Sequence, residues 1–187
     1  GDPSTTHVGE GRYVIDPGRR ILGHGNETTV LHGRHATTGC EVALRFLHQF
    51  HRDHETAVEL LQSVCRPISG VRASRTPRMM DAFVEPTYDG RFVAVVVSEY
   101  APGPTFEELA TGGGPIPPAI VAGLIAGAGR VVHGIHTGQG GGTPGIHGDL
   151  KPANLVAAGL DPDADPRTLP VRRTQDVAVI DLFGFTP

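Results

Sequence analysis

The sequence predicts an α+β protein in two parts: a five-stranded antiparallel sheet carrying one helix, then a mainly helical part from about residue 101. Three observations predict it. Up to Tyr100 the apolar residues fall in short β-branched runs separated by Gly, Asp and Pro turns. Within that half only 54–65 has helical spacing. After Ala101-Pro102-Gly103-Pro104 the longest apolar pattern, 118–136, repeats with the helical period.

Residues 1–11 are polar and Gly-containing and are expected as a flexible leader, with the first part at 12–100 and the second at 101–187. From Tyr13 the pattern is strand-like. Arg20-Ile21-Leu22 runs into Gly23-His24-Gly25, Thr28 to Arg34 is half alternating, and Glu41 to Leu47 follows the turn at Ala36 to Gly39. In 54–65, Ala57, Leu60, Leu61 and Val64 stand at i, i+3, i+4 and i+7, one apolar helix face. Arg66 to Arg78, with two prolines, reads as a connection. Met79–Val84 and Phe92–Tyr100 are two more strands around the turn Tyr88-Asp89-Gly90. The unbroken run Phe92 to Val97 is apolar on both faces and so belongs inside its sheet. Thr105 then caps a short helix with acids in its first turn. The helix 118–136 has a broad stripe through Val121, Leu124, Ile125, Ala128, Val131, Val132 and Ile135. A Gly-rich break at 138–145, a polar cluster at 147–154, an Asp/Pro-rich excursion and an apolar strand at 177–180 complete the chain.

Composition excludes several functions. Sixteen Lys and Arg against 20 Asp and Glu leave a net charge of −4, the wrong balance for gripping a phosphate backbone, so no nucleic-acid partner is expected. No run approaches the ~18 apolar residues of a membrane span, so no membrane insertion is expected. The N-terminus has no basic-then-apolar signal. Cys40 and Cys65 are too few for a disulfide framework and lack metal-type spacing, which fits a reducing, cytoplasmic setting. The chain opens Gly1-Asp2-Pro3 and is read as a piece of a longer polypeptide.

Two segments carry chemistry. Gly23-His24-Gly25 with Thr28-Thr29-Val30 is a glycine-rich turn between strands, where backbone can approach phosphates; a plain hairpin turn explains it as well. His147-Gly148-Asp149-Leu150-Lys151-Pro152-Ala153-Asn154 places a carboxylate, an ammonium and an amide on one loop. Such a set can take a proton from a hydroxyl, neutralise a phosphate and hold a metal ion. Asp181, at the end of the last apolar strand, is a second carboxylate.

Together these residues resemble the eukaryotic-type (Ser/Thr) protein kinase family over residues 12–184. Gly23, Gly25 and Val30 match its glycine-rich loop, with Thr28 in place of the third glycine. Val42-Ala43-Leu44-Arg45 matches its VAIK strand, His147 to Asn154 its catalytic loop, and Asp181-Leu182-Phe183-Gly184 its DFG, with one residue too many. Ser98-Glu99-Tyr100-Ala101 is similar to its hinge. The resemblance implies a bilobal kinase-like fold and transfer of phosphate from ATP to a hydroxyl. It implies Asp149 as proton acceptor, Lys151 at the γ-phosphate, and Asn154 and Asp181 as Mg²⁺ ligands. Val30 and Ala43 would sandwich adenine, with the Glu99 carbonyl and Ala101 amide at its edge. Glu59 is the implied partner of the third-strand cation, with Glu55 as its competitor; solvated helix charges are the plain alternative for both.

Several positions depart from the family. Arg45 stands where the family has lysine, and a planar fork cannot reproduce a point charge; one misaimed electrostatic contact commonly costs about 10²–10³ in rate. Gly148 replaces the arginine that reads activation-loop phosphorylation. The 27-residue step from Asn154 to Asp181 is long, and its insert Gly159–Asp176 reads as a surface excursion or a docking element. The chain stops at Pro187, right after the metal motif. The helices that would cover the 118–136 stripe are then expected in the parent protein, or a dimer or partner covers it. Three functions remain open: a protein kinase, a pseudokinase serving as nucleotide sensor or protein-binding scaffold, and a small-molecule phosphotransferase of the kind that also spells His-Gly-Asp.

Overall fold

The structure, a computed structural model, describes residues 5–15, 18, 21–24, 27–112, 114–158, 160, 176–182 and 186. The chain is α+β and divides into two compact units: residues 1–66 with 79–100, and residues 67–78 with 101–187. The boundary after Tyr100 lies where the sequence changes character, but the connection 67–78 belongs to the second unit.

The first unit is an antiparallel sheet of seven strands rather than five. They are β1 (Thr6–Val8), β2 (Tyr13–Ile15), β3 (Ile21–His24), β4 (Thr28–His35), β5 (Glu41–His51), β6 (Met79–Pro86) and β7 (Phe92–Glu99). The order is β1-β2-β4-β5-β7-β6, with β3 also paired to β4. The expected leader is corrected: residues 6–15 form a hairpin turned by Gly9, Glu10 and Gly11, all at positive φ. Its driving force is burial. Val8 and Tyr13 enter the core with Val42, Leu44, Phe83, Val93, Val95 and Val97, and the Tyr13 ring stacks on Phe83 at 5.9 Å. The β7 run lies between β5 and β6, as its two-faced apolarity requires, and Val93 to Val97 are buried throughout. Where β4 crosses β2, Gly33 is needed for space: a Cβ there would lie 2.4 Å from Leu44 Cδ1 and 2.8 Å from the Val14 carbonyl oxygen. Helix α1 (His54–Ile68) begins with the Asp53 carboxylate accepting from Thr56 N–H at 2.7 Å and buries Ala57 and Leu61. It runs one turn past its expected end, through Pro67.

The second unit contains α2 (Phe106–Thr111), α3 (Pro118–Thr137), a single 3₁₀ turn at Pro152–Asn154, and the two-stranded ladder β8 (Leu155–Val156) with β9 (Ala178–Val179). Thr105 and Glu108 close a reciprocal capping box on α2. Pro118 opens α3, and Gly138 ends it in the left-handed conformation. Ile120, Leu124 and Ala128 of α3 pack with Leu109, Ala157, Leu160 and Val177, while Val121 and Ile125 are exposed. Among the described residues α3 is the one helix long and apolar enough to cross a membrane by length and composition, which the sequence expectation did not anticipate. Core helices pass the same test, and one face of α3 lies in this core. The segment 67–78 belongs here because Thr143 N–H donates to the Gly70 carbonyl at 2.9 Å and Val179 N–H to the Arg75 carbonyl at 3.1 Å. Arg75 also pairs with Asp176 at 2.8 Å. Most of the insert, together with Gly25, Asn26, Phe183 and Gly184, lies outside the described residues.

Candidate functional site

In the first unit, register decides which side chains share a face. Val30 lies opposite Arg45, Gly23 opposite Val30, and Ala43 opposite both His32 and Ser98. Because side chains alternate along a strand, Gly23, Val30, Ala43 and Arg45 lie on one face while Val42 and Leu44 point into the core from the other. A Cβ on Gly23 would stand 3.8 Å from Val30 Cγ2, so the glycine keeps this face open beside the valine. Arg45 Nη1 donates to Thr28 Oγ1 at 3.2 Å. Thr28 therefore holds the Arg45 guanidinium from the neighbouring strand. Glu59 and Glu55 are both exposed on α1. Glu99 is the last residue of β7, opposite Val42, and Ala101 opens the longer segment of the second unit.

The second unit organises the loop 147–154. His147 is 2% exposed, and both its ring nitrogens are used. Nε2 donates to the Ile180 carbonyl at 2.8 Å, and Nδ1 accepts from Asp149 N–H at 3.3 Å. A carbonyl only accepts and an N–H only donates, so these partners define the neutral tautomer protonated on Nε2. Gly148, at φ 80°, supplies the left-handed step that turns the chain back between these two bonds. The segment is tied again by paired backbone bonds between Ile146 and Thr186, at 2.8 and 2.9 Å.

Asp149 and Lys151 are exposed, and Asn154 is buried. Lys151 Nζ donates to Asp149 Oδ2 at 2.6 Å. Asn154 Nδ2 donates to the Asp149 carbonyl at 2.8 Å and to the same Oδ2 at 3.1 Å. The Lys151 hydrogen bond, above all, holds the Asp149 carboxyl below the usual carboxylate range, with Asn154 adding to it. The carboxylate is thus ionised and aimed by two donors on one oxygen. The 3₁₀ turn leads directly into β8, and Ile180 N–H donates to the Asn154 carbonyl at 3.0 Å. That bond places Asp181 next to Asn154 at one end of the β8–β9 ladder. Asp181 has φ 62°, a left-handed conformation that Asp adopts more readily than most residues and that redirects the chain at this point.

The donor set fits a small hard cation. Asn154 has its amide nitrogen committed to Asp149, which leaves its side-chain oxygen as the group to ligate, and the Asp181 carboxylate is adjacent along the chain from Ile180. Mg²⁺ takes one or two protein oxygens of this kind and fills its other positions with water and phosphate.

Asp149, Lys151, Asn154 and Asp181 are brought together in one unit, and Gly23, Val30, Ala43 and Arg45 on one face in the other. The sequence reading did not assign a role to His147, although its place two residues before the carboxylate was the available signal. Thr28 was noticed only as a missing glycine. No protein-family model matches the chain, and no curated protein matches its sequence.

Proposed function

We propose that the chain is a protein-kinase-like domain that binds Mg-ATP and transfers its terminal phosphoryl group to a Ser or Thr hydroxyl of a protein substrate. The observation that carries this reading is the hydrogen-bonded set His147–Asp149–Lys151–Asn154, tied through Ile180 to Asp181. Asp149 accepts the proton of the attacking hydroxyl; its lowered pKa makes it a positioning base, ionised before the hydroxyl arrives, rather than a strong one. Lys151 leaves Asp149 to neutralise the transferred group. Asn154 and Asp181 would hold Mg²⁺, which when bound supplies positive charge against the phosphates. Val30 and Ala43 offer an apolar surface to adenine, and the Glu99 carbonyl and Ala101 amide its polar edge. Gly23 and Gly25 let backbone approach the phosphates, and Arg45 contributes a cation.

One observation favours a second reading, a nucleotide-binding scaffold without turnover. Arg45 is engaged by Thr28, whose hydroxyl holds one arm of its guanidinium on the strand. Labelling with ATP carrying a radioactive γ-phosphate, with the chain itself and a generic Ser/Thr protein as acceptors, tests both. The kinase reading expects transfer that Asp149→Asn abolishes and Arg45→Lys increases; labelling that survives Asp149→Asn contradicts it. Nucleotide binding with no labelling in either the native chain or Arg45→Lys selects the scaffold.

A further inference from the structure

The other convergence of reactive side chains lies on the opposite face of the β3–β4–β5 hairpin from Val30 and Arg45. His24 is paired with Thr29, and Thr29 with Phe46, so these residues face away from the Val30 side. His24 Nδ1 lies 2.9 Å from Thr29 Oγ1, and His48 Nε2 lies 2.7 Å from the same oxygen. The two rings are 5.6 Å apart between centroids, inclined at 50°. Their convergence is built by the backbone. His48 falls where β5 slips register against β7 between Phe46 and Phe50, a bulge of the kind that re-aims a side chain. Its N–H is fixed at 2.7 Å on the Glu27 carbonyl.

From this geometry we infer that His24 and His48 form a binding site for a borderline divalent cation of the Zn²⁺ class. Imidazole nitrogen is the preferred neutral ligand of such ions. Two nitrogens from different strands already point at one small volume, which a threonine hydroxyl occupies. With metal–nitrogen bonds of about 2.0–2.1 Å, each nitrogen must close by somewhat under about 1 Å. His24 is exposed and can do so by side-chain rotation. The proton count is balanced. Thr29 has one hydroxyl proton, so it donates to one ring nitrogen and accepts from the other; the ring that donates shifts its proton to its far nitrogen, both facing nitrogens offer lone pairs, and the hydroxyl is displaced. Among the described residues no group of three or more His, Cys, Asp or Glu side chains is arranged to hold a metal, so water completes this two-histidine site. The ion would staple β3 to β5 across β4, independently of the phosphotransferase reading.

The test is calorimetric titration of the full chain with Zn²⁺ alone, with histidine ring protons followed by NMR. His24→Ala and His48→Ala should each weaken the tightest binding by at least about tenfold, whereas Thr29→Ala should bind as tightly as the native chain or more so. In the native chain the ring protons of His24 and His48 should be the first of the 10 histidines to respond. The NMR readout needs no variant to fold. The inference is overturned by native affinity in both histidine variants, by other histidines responding first, by a Thr29→Ala loss as large as the histidine losses, or by no binding up to about 1 mM.

Discussion

Replacing His147 with Phe tests whether the imidazole is the tie between the Asp149 loop and the strand leading to Asp181. Phe is similar in size and apolar, so the buried volume at a position only 2% exposed is largely preserved. Two hydrogen bonds are lost: the Nε2 bond at 2.8 Å to the Ile180 carbonyl and the longer Nδ1 bond at 3.3 Å from Asp149 N–H. An abandoned buried donor or acceptor costs about 1–3 kcal/mol. The short bond should count near the middle of that range and the long one near its bottom, giving about 2–4 kcal/mol in total. At about 2–4 °C per kcal/mol for a chain of this size, the melting temperature should fall by about 4–16 °C. Circular dichroism melts of native and variant chains at one pH provide the assay, and NMR of the Asp149 amide provides the local readout. A melt within about 1 °C of native, with the Asp149 amide resonance unmoved, would refute the assignment of His147 as the tie.

Three further outcomes follow from other contacts. Burial, then the hydrogen bond to Asp81 and its charge, push the Tyr13 hydroxyl up to about 12 from 10.0; a raised pKa gives stability that is complete below the unfolded value and is lost as pH rises through the folded one. Tyr13→Phe should therefore show a shallower loss of stability from pH 10 to 12 than the native chain, and equal slopes in denaturant titrations would contradict the burial of that hydroxyl. Gly33→Ala should cost about 1–3 kcal/mol, because the Val14 carbonyl cannot retreat from the new methyl as a side chain can; an unchanged denaturation midpoint would deny the close passage of β2 over β4. Lys151→Met removes the main cause of the lowered Asp149 pKa, so the carboxylate should protonate at higher pH than in the native chain, read as an upward move of its ¹³C titration; a titration that stays put would mean the 2.6 Å contact does not persist in solution.

The sheet was legible where burial is two-sided or strictly alternating. Phe92–Val97 announced an interior strand, and Glu41–Leu47 read as a strand, of which the structure buries Val42 and Leu44. The first hairpin was not legible. Only Val8 carries apolar signal in β1, and the Gly9-Glu10-Gly11 turn looked like a loose tail until Phe83 and Val93, distant in sequence, supplied the surface that Val8 and Tyr13 cover. The β8–β9 ladder was half legible: Val177–Ile180 read as a strand, but two residues of β8 are too short to show a period, and their partner lies across the insert. For the site, residue types and spacing singled out Asp149, Lys151 and Asn154, since a loop of eight residues keeps its members together whatever surrounds it, and Asp181 was singled out by its place at the end of an apolar strand. What spacing could not reveal is register. The Arg45–Thr28 contact and the His24–Thr29–His48 convergence depend on how β3, β4 and β5 align.

The central claim is that this chain handles a metal-bound nucleotide. Its most direct test is a thermal-shift titration of the full chain with ATP, with and without Mg²⁺, alongside Asp181→Ala. Nucleotide at about 100 times its Kd adds about 2.7 kcal/mol, or about 5–11 °C. The account predicts a rise of that size that requires Mg²⁺ and is largely lost in Asp181→Ala; a melting curve that millimolar Mg-ATP does not move would contradict it.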